Sequence, residues 1–371
     1  MPRPVRVLHV TQASSGGVLN AMIQLAKSQL EVGVEVSVMY TERTDTPSQK
    51  DLAQLFGPNI SLIRVGGRGM GLAAAWNLML SLLRTLRAMN PDALHLHSSF
   101  AGAVGRLAAF VARRSTSTYY SPHGFAFLRQ DLTARAAKAV ALAERCFHTL
   151  GSSMILVSES EKNAASLNVS KSRLFVLENG LALNDLPKLQ QSGNHLRVGS
   201  AGRVAYQKAP WRFAGLAKEL RELADFHWIG GASKDVDDWL PATAVSVSGW
   251  LTEEEALKRL SELDIYVSTS LWEGLPISVM QAQALGVPCV VSNCVGNVDL
   301  VEHGVTGFIY DTDEELVEYV ATLVKDQALR RRLGVKAQAT ALQRFDQRRL
   351  GPASLLIYNC AHQERGYSYA H

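Results

Sequence analysis

Cysteine is scarce in this chain, four among 371 residues. Cys289 and Cys294 stand too far apart for a CxxC pair and no second pair exists, which excludes a disulfide framework and argues against zinc. Long apolar runs are missing too. The longest, Leu72 to Leu83, carries Asn77 and Ser81 and falls short of the roughly 18–20 residues that a membrane span needs. The opening Met-Pro-Arg-Pro leads straight into a strand-like run without the apolar core of a signal peptide. Charged residues are 19% against 47% hydrophobic, a balance that supports buried cores and excludes a disordered chain. No stretch has the GxGxxG spacing of a dinucleotide fingerprint, and no acidic residue ends the second strand at the usual place. The expectation is a soluble, cytoplasmic α/β protein.

At roughly 150 residues per domain, the length fits two. The net charge of +4 divides unevenly between them. Residues 1–185 hold 19 Lys and Arg against 12 Asp and Glu, and residues 186–371 hold 19 against 22. A basic first half fits an anionic partner. It fits a solvated surface with chance asymmetry equally well.

Both halves alternate strand and helix. Val5–Val10, a Gly16-Gly17 turn, a helix to about Leu30 and the strand Val34–Val38 open a doubly wound sheet. Strands follow at Ile60–Val65, Ala93–His97, Thr116–Ser121 and Met154–Ser158, with helices at Leu72–Met89, Phe100–Arg113 and 131–149. A second unit starts at Leu196–Ala201, with further strands at Phe226–Ile229, Val245–Ser248, Ile265–Ser268, Pro288–Ser292 and Gly307–Tyr310. Helices alternate with them at 210–223, Leu257–Leu263, Ile277–Leu285, 313–325 and 327–343. The polar stretch 184–195 reads as the linker. Two Rossmann-like halves with a hinge are expected to leave a deep cleft at the carboxyl ends of their strands, where such sheets bind ligands.

Residues that can carry chemistry stand at those ends. Arg203 and Lys208 follow a strand in an exposed loop, placed to hold a diphosphate or simply solvated. Glu273 precedes a helix whose first turn includes Pro276 and whose free N–H groups can meet an anion or a polyhydroxyl ligand. Gln281 lies eight residues on, near the same face, so a carboxylate and an amide are presented to paired hydroxyls. Gly16-Gly17 permits close approach of a phosphate. His123, in Pro122-His123-Gly124, sits at a strand end before glycine, a place for catalytic and structural histidines alike. Asp235-Val236-Asp237-Asp238 imitates a DxD metal motif but reads better as a solvated loop.

In combination these features resemble the retaining, GT-B-fold glycosyltransferases of family 4. The resemblance rests on Gly16-Gly17, Asp92-Ala93-Leu94-His95-Leu96-His97, His123-Gly124, Asn179-Gly180, Gly202-Arg203 with Lys208, Gly230-Gly231, Glu273-Gly274-Leu275-Pro276 with Gln281, and Gly304 to Phe308. It implies a first domain over 1–183, joined by a C-terminal helix at about 350–371, and a donor domain over 196–349. It implies that Arg203 and Lys208 hold the donor diphosphate, that Gly17 meets it through its N–H, and that Glu273 faces the donor sugar. Gly274, Leu275, Pro276 and Ile277 would line that sugar with backbone groups, His123 would stand near it, and Val247 to Trp250 would lie by the base. Gln281 departs from the pattern, since it occupies the second glutamate position of the E-x7-E motif, the ribose-binding one.

The implied reaction moves a sugar from a UDP- or GDP-linked donor to a glycan or lipid-linked acceptor, with retention and with no metal or other cofactor. Nucleic acid is not an implied partner. The segment Arg68–Arg87, with Trp76, Leu78, Met79, Leu80, Leu82 and Leu83 among Arg84 and Arg87, is suited to an anionic membrane surface and equally to covering the first sheet. Two alternatives stay open: a non-catalytic nucleotide-sugar-binding protein, motivated by Gln281, and a nicotinamide-dependent oxidoreductase, disfavoured by the missing fingerprint.

Overall fold

The computed structural model describes residues 3–12, 16–43, 45–69, 71–190, 195–231 and 236–363. They fall into two compact units. The first holds the chain to Gly180, apart from Arg129–Asp131, together with the C-terminal helix Leu350–Gln363, and the second holds Leu181–Asp346. The divisions therefore lie at Gly180/Leu181 and Asp346/Gln347, whereas the expected linker begins at 184.

The first unit is built on β1 (Arg6–Thr11), β2 (Glu35–Glu42), β3 (Ser61–Arg68), β4 (Ala93–His97), β5 (Thr118–Ser121), β6 (Ser153–Leu156) and β7 (Leu174–Val176). These lie in the order β3-β2-β1-β4-β5-β6-β7, all parallel. The second has β8 (Leu196–Ala201), β9 (Ala224–Ile229), β10 (Ser246–Val247), β11 (Ile265–Ser268), β12 (Cys289–Ser292) and β13 (Gly307–Tyr310), in the order β10-β9-β8-β11-β12-β13 and again parallel. Each chain path runs outward on one side, then returns to start the other. The direction reverses between β1 and β4, and between β8 and β11, the places where open parallel sheets take ligands.

Continuous burial explains the strands. Every residue of β4 is buried, as parallel sheets covered on both faces require. Leu8, Val10, Leu94 and Leu96 meet helices Leu72–Met89 and Ser99–Val111, while Val7, Val36, Val38 and Ala93 meet helices Gly16–Glu31 and Leu350–Gln363. The C-terminal helix is pinned to the first one, where Gly351 N–H donates to Ser28 Oγ at 2.8 Å.

Helix Leu72–Met89 buries Leu78, Leu82 and Leu86, at a spacing of four, against the sheet. Leu72 and Trp76 stay outside, 92% and 64% exposed. Among the described residues no helix is long and apolar enough to cross a membrane. Among the elements that escape the sequence reading are β7 and the eight-residue helices Gln49–Phe56 and Glu159–Ser166. Both helices carry a serine cap, Ser48 accepting from Asp51 N–H and Ser158 from Glu161 N–H, a signal that length alone obscures. Asp235 lies outside the described residues, and Val236–Trp239 is a turn of helix, not loop.

Candidate functional site

The sequence candidates gather at the two reversals. In the second unit the loops after β8 and β11 are stitched together: Leu271 N–H donates to Gln207 O at 2.8 Å, Thr269 Oγ1 to Lys208 O at 2.6 Å and Gln207 Nε2 to Trp272 O at 2.8 Å. This lacing brings Lys208 Nζ to 2.7 Å from Glu273 Oε1. Neither side chain is in the open, at 19% and 10% exposure, so the expectation of an exposed Lys208 is corrected. Burial pulls the Lys208 ammonium down, but the Glu273 carboxylate more than offsets this and its pKa is raised on balance. Arg203 by contrast is exposed, between residues whose N–H groups donate to Ile229 and Gly231 carbonyls.

Helix Ile277–Leu285 has the bounds read from sequence, but Pro276 stands just before its first turn and not within it. Pro276 is its cap residue, in extended backbone, and among the described residues no side chain caps the N–H groups of its first turn. Glu273 thus lies in the loop before the helix while Gln281 is within it, half-buried, so helical periodicity alone does not set their common face. Gly274, Leu275 and Ile277 are buried around that start. On the other flank the loops after β8 and β9 touch backbone to backbone. Gly230, at φ 137°, would bring a Cβ within 2.2 Å of Gly202 O, which only glycine avoids. Val247 ends β10 half-buried, and Trp250 follows it 62% exposed.

In the first unit a row of four histidines crosses the β1/β4 reversal. His9 pairs in register with His95, and His97 lies two residues on, so all three rings share one face. His9 Nδ1 is 2.9 Å from His97 Nε2, and His97 Nδ1 is 2.9 Å from Nε2 of His123, which follows β5. His9 Nε2 meets Gln29 Oε1 at 2.8 Å. His95 meets Tyr358 OH at 3.0 Å and Ser121 Oγ at 2.8 Å. Burial pushes His9 and His123 down to about 4, with the Gln29 bond opposing it at His9. Burial and the neighbouring rings hold His95 and His97 well below their usual value. His9, His95 and His97 offer ring nitrogens within 4.8 Å of one another, close enough to share a metal ion. All six of their ring nitrogens already have hydrogen-bond partners, however, so the cluster is a hydrogen-bonded relay.

The loop that bears His123 is fixed from below, Gly124 N–H donating to buried Glu161 Oε1 at 2.6 Å. His123 and His97 line a small pocket with Glu178 and Asn179. Gly16 and Gly17 are exposed and begin the first helix, where a turn before it was expected. Gly16 has φ 59°, and no atom of the described residues lies within 4 Å of a Cβ at either position.

The structure therefore joins Lys208 with Glu273 directly and sets Arg203, Gly274 to Ile277, Gln281, Val247 and Trp250 around the carboxyl ends of the second sheet. His123, Gly16 and Gly17 belong to the first. Sequence reasoning missed Gln207, which bridges two loops, and the roles of His9, His97, Gln29 and Tyr358. The signal for the histidines was there, since His-x-His on a strand puts both rings on one face.

Comparisons with known proteins agree with this architecture. Residues 187–340 match the family model described as glycosyl transferases group 1, and residues 16–180 match a glycosyl transferase 4-like domain. A UDP-Gal:alpha-D-GlcNAc-diphosphoundecaprenol alpha-1,3-galactosyltransferase of Escherichia coli is 27% identical over 70% of this chain and 72% of its own. A GDP-mannose-dependent alpha-mannosyltransferase of Corynebacterium glutamicum is 24% identical over 86% and 79%. Among solved structures, Anabaena Alr3699/HepE in complex with UDP and glucose superposes with a TM-score of 0.77 at 20% identity, covering 95% of this chain and 98% of that one. Two Rossmann-like parallel-sheet units of this kind are the GT-B fold class.

Proposed function

The chain belongs to the group 1 glycosyl transferases, and on that premise we propose that it moves a sugar from a nucleotide diphosphate sugar to an acceptor hydroxyl, with retention at the anomeric carbon. The observation that carries this reading is the Lys208–Glu273 pair at the β8/β11 reversal, beside a helix N-terminus that no side chain caps. The bond from the anomeric carbon to the diphosphate oxygen breaks, and the acceptor oxygen bonds to that carbon from the same face. The acceptor proton passes to the departing phosphate oxygen. Arg203 and Lys208 neutralise the charge that develops there, the task a metal performs elsewhere. Glu273 keeps the Lys208 ammonium charged and in place, and faces the sugar. Gly274 to Ile277 line the sugar, Gly16 and Gly17 approach the diphosphate, Val247 and Trp250 flank the base, and Gln281 holds the ribose.

UDP and GDP are the donor nucleotides favoured by the names of the two relatives, and a glycan or lipid-linked acceptor by the first of them. A role in cell-surface polysaccharide or lipopolysaccharide synthesis follows. Exposed Leu72 and Trp76, on the helix that carries exposed Arg84 and Arg87, support peripheral contact with an anionic membrane on the cytoplasmic side. Pelleting with anionic liposomes at low salt tests that contact, and protein left in the supernatant removes it.

The deciding experiment incubates the protein with UDP- and GDP-sugars, follows slow hydrolysis and transfer, and reads the product anomer by NMR. An inverted anomer overturns retention. Tight donor binding with no product at all favours the non-catalytic reading that Gln281 motivates. The nicotinamide-dependent alternative is tested by calorimetric titration with NAD, and binding there would favour it over transfer.

A further inference from the structure

The histidine relay has one self-consistent arrangement of protons, and its direction follows from two carbonyl oxygens that can only accept. Ser121 Oγ donates to Ile155 O at 2.6 Å, so it accepts from His95 Nε2–H. His95 Nδ1 is then bare and accepts from Tyr358 O–H. Tyr358, its proton spent, accepts from Gln29 Nε2 at 3.1 Å. Ser354 Oγ donates to Gly351 O at 2.8 Å and likewise accepts from Gln29 Nε2 at 3.0 Å. Both routes turn the Gln29 amide the same way, with Oε1 toward His9.

From there the order is forced ring by ring. His9 carries its proton on Nε2 and leaves Nδ1 bare. His97 donates from Nε2 to it, and His123 donates from Nε2 to His97 Nδ1. The chain ends at His123 Nδ1, a lone pair with no hydrogen-bond partner among the described residues, on a side chain that lines the pocket. The reversed arrangement would break the bonds to both Ile155 O and Gly351 O.

We infer that Gln29, His9 and His97 are positioning residues that hold His123 as its Nε2–H tautomer, so that His123 meets its ligand as a hydrogen-bond acceptor. This rests on the transferase reading for the nature of the ligand, a sugar or acceptor hydroxyl, which can donate to Nδ1. A carboxylate or phosphate oxygen at that point would face a lone pair and be refused. Burial, which keeps all four rings neutral, preserves the arrangement at neutral pH.

The test is NMR of the full chain labelled with 15N-histidine, without substrate, using two-bond proton–nitrogen correlations to read each ring. Wild-type His123, assigned by loss of its signals in His123→Gln, should show a protonated Nε2 and a bare Nδ1. His97→Phe should blur that pattern into mixed tautomers, and His97→Gln, whose amide can both donate and accept, should restore it. A second arm measures transfer with a UDP-hexose: His97→Phe should lower kcat roughly tenfold, and His97→Gln should recover most of it. A proton on Nδ1 of wild-type His123, or an unchanged tautomer in His97→Phe, overturns the proposal. The wild-type spectrum decides even if His97→Phe does not fold. Failure of every nucleotide sugar to react would count against the transferase reading alone, because the tautomer is read without substrate.

Discussion

The two units place polar groups at equivalent reversals of their sheets, yet build them from opposite materials. At β1/β4 three of the four rings lie within the strands, fully buried, and every ring is held neutral along a hydrogen-bond chain that runs out to half-buried His123. At β8/β11 they lie in the loops beyond the strands, and a full ion pair survives there because carboxylate and ammonium screen each other. Desolvation acts on both places. It removes the charge where no counter-charge is near, and leaves it where one stands 2.7 Å away. The first unit is thereby a place of directed hydrogen bonds, and the second a place of charge.

The widest separation between them comes from removing the ammonium. Lys208→Ala is expected to lower transfer by a factor on the order of 10²–10³, as loss of one preorganised charge-stabilising group does. It also strands a buried carboxylate, so stability should fall by about 1–3 kcal/mol. Adding Glu273→Gln should restore stability but not transfer, as denaturant titration and product assays would show. Wild-type turnover in Lys208→Ala and in Arg203→Ala would remove the phosphate assignment from the second unit.

Acid separates the units in the other direction. A histidine whose folded pKa lies below 6.5 takes up its proton first in the unfolded chain. Its contribution to stability is complete above 6.5 and is lost as the pH falls toward about 4. For His9 alone the limiting loss is roughly 3 kcal/mol. Peptides from the first unit should therefore lose hydrogen-exchange protection on acidification before those around Phe213, which is buried in the second on a helix without histidine. Equal loss in both units would mean that the rings are protonated without cost, and the contrast would disappear.

Much of this was readable in advance, and the rest fails for physical reasons. Ala93–His97, Leu196–Ala201, Ile265–Ser268 and helix Ile277–Leu285 have the bounds read from sequence, because continuous apolar runs end at clear breakers. The relay was not readable. His95 meets Tyr358 across 263 residues, and a strand pattern says that a face is buried without saying which helix covers it. Lys208 misled for a related reason: a lysine in a strand-to-helix loop looks solvated until the partner loop, 65 residues on, is laced over it.

Glycine substitutions sharpen the same contrast at smaller cost. Gly230→Ala meets both a forbidden φ and a carbonyl at 2.2 Å, so a loss of roughly 2 kcal/mol or more is expected by thermal unfolding. Gly16→Ala, at φ 59° with open space around it, should cost about 1 kcal/mol. If the two proved equal, the loops of the second unit would be looser than their backbone contacts imply.

The smallest effect concerns Gln281, where the chain departs from the glutamate of its family. Hydrogen bonds to a charged partner contribute roughly 1.5–3 kcal/mol against about 1 for neutral ones, so a carboxylate here should hold ribose hydroxyls up to about tenfold more tightly. Half-burial of Gln281 leaves a charge partly hydrated, which keeps its desolvation cost below that gain. Calorimetric titration of Gln281→Glu with UDP and with GDP should therefore show tighter binding of whichever base the protein prefers, while kcat with a saturating donor stays unchanged, since the ribose lies away from the reacting carbon. Weaker binding of both nucleotides would show that the added charge meets phosphate and not ribose, and would move Gln281 out of the place that its spacing from Glu273 assigns.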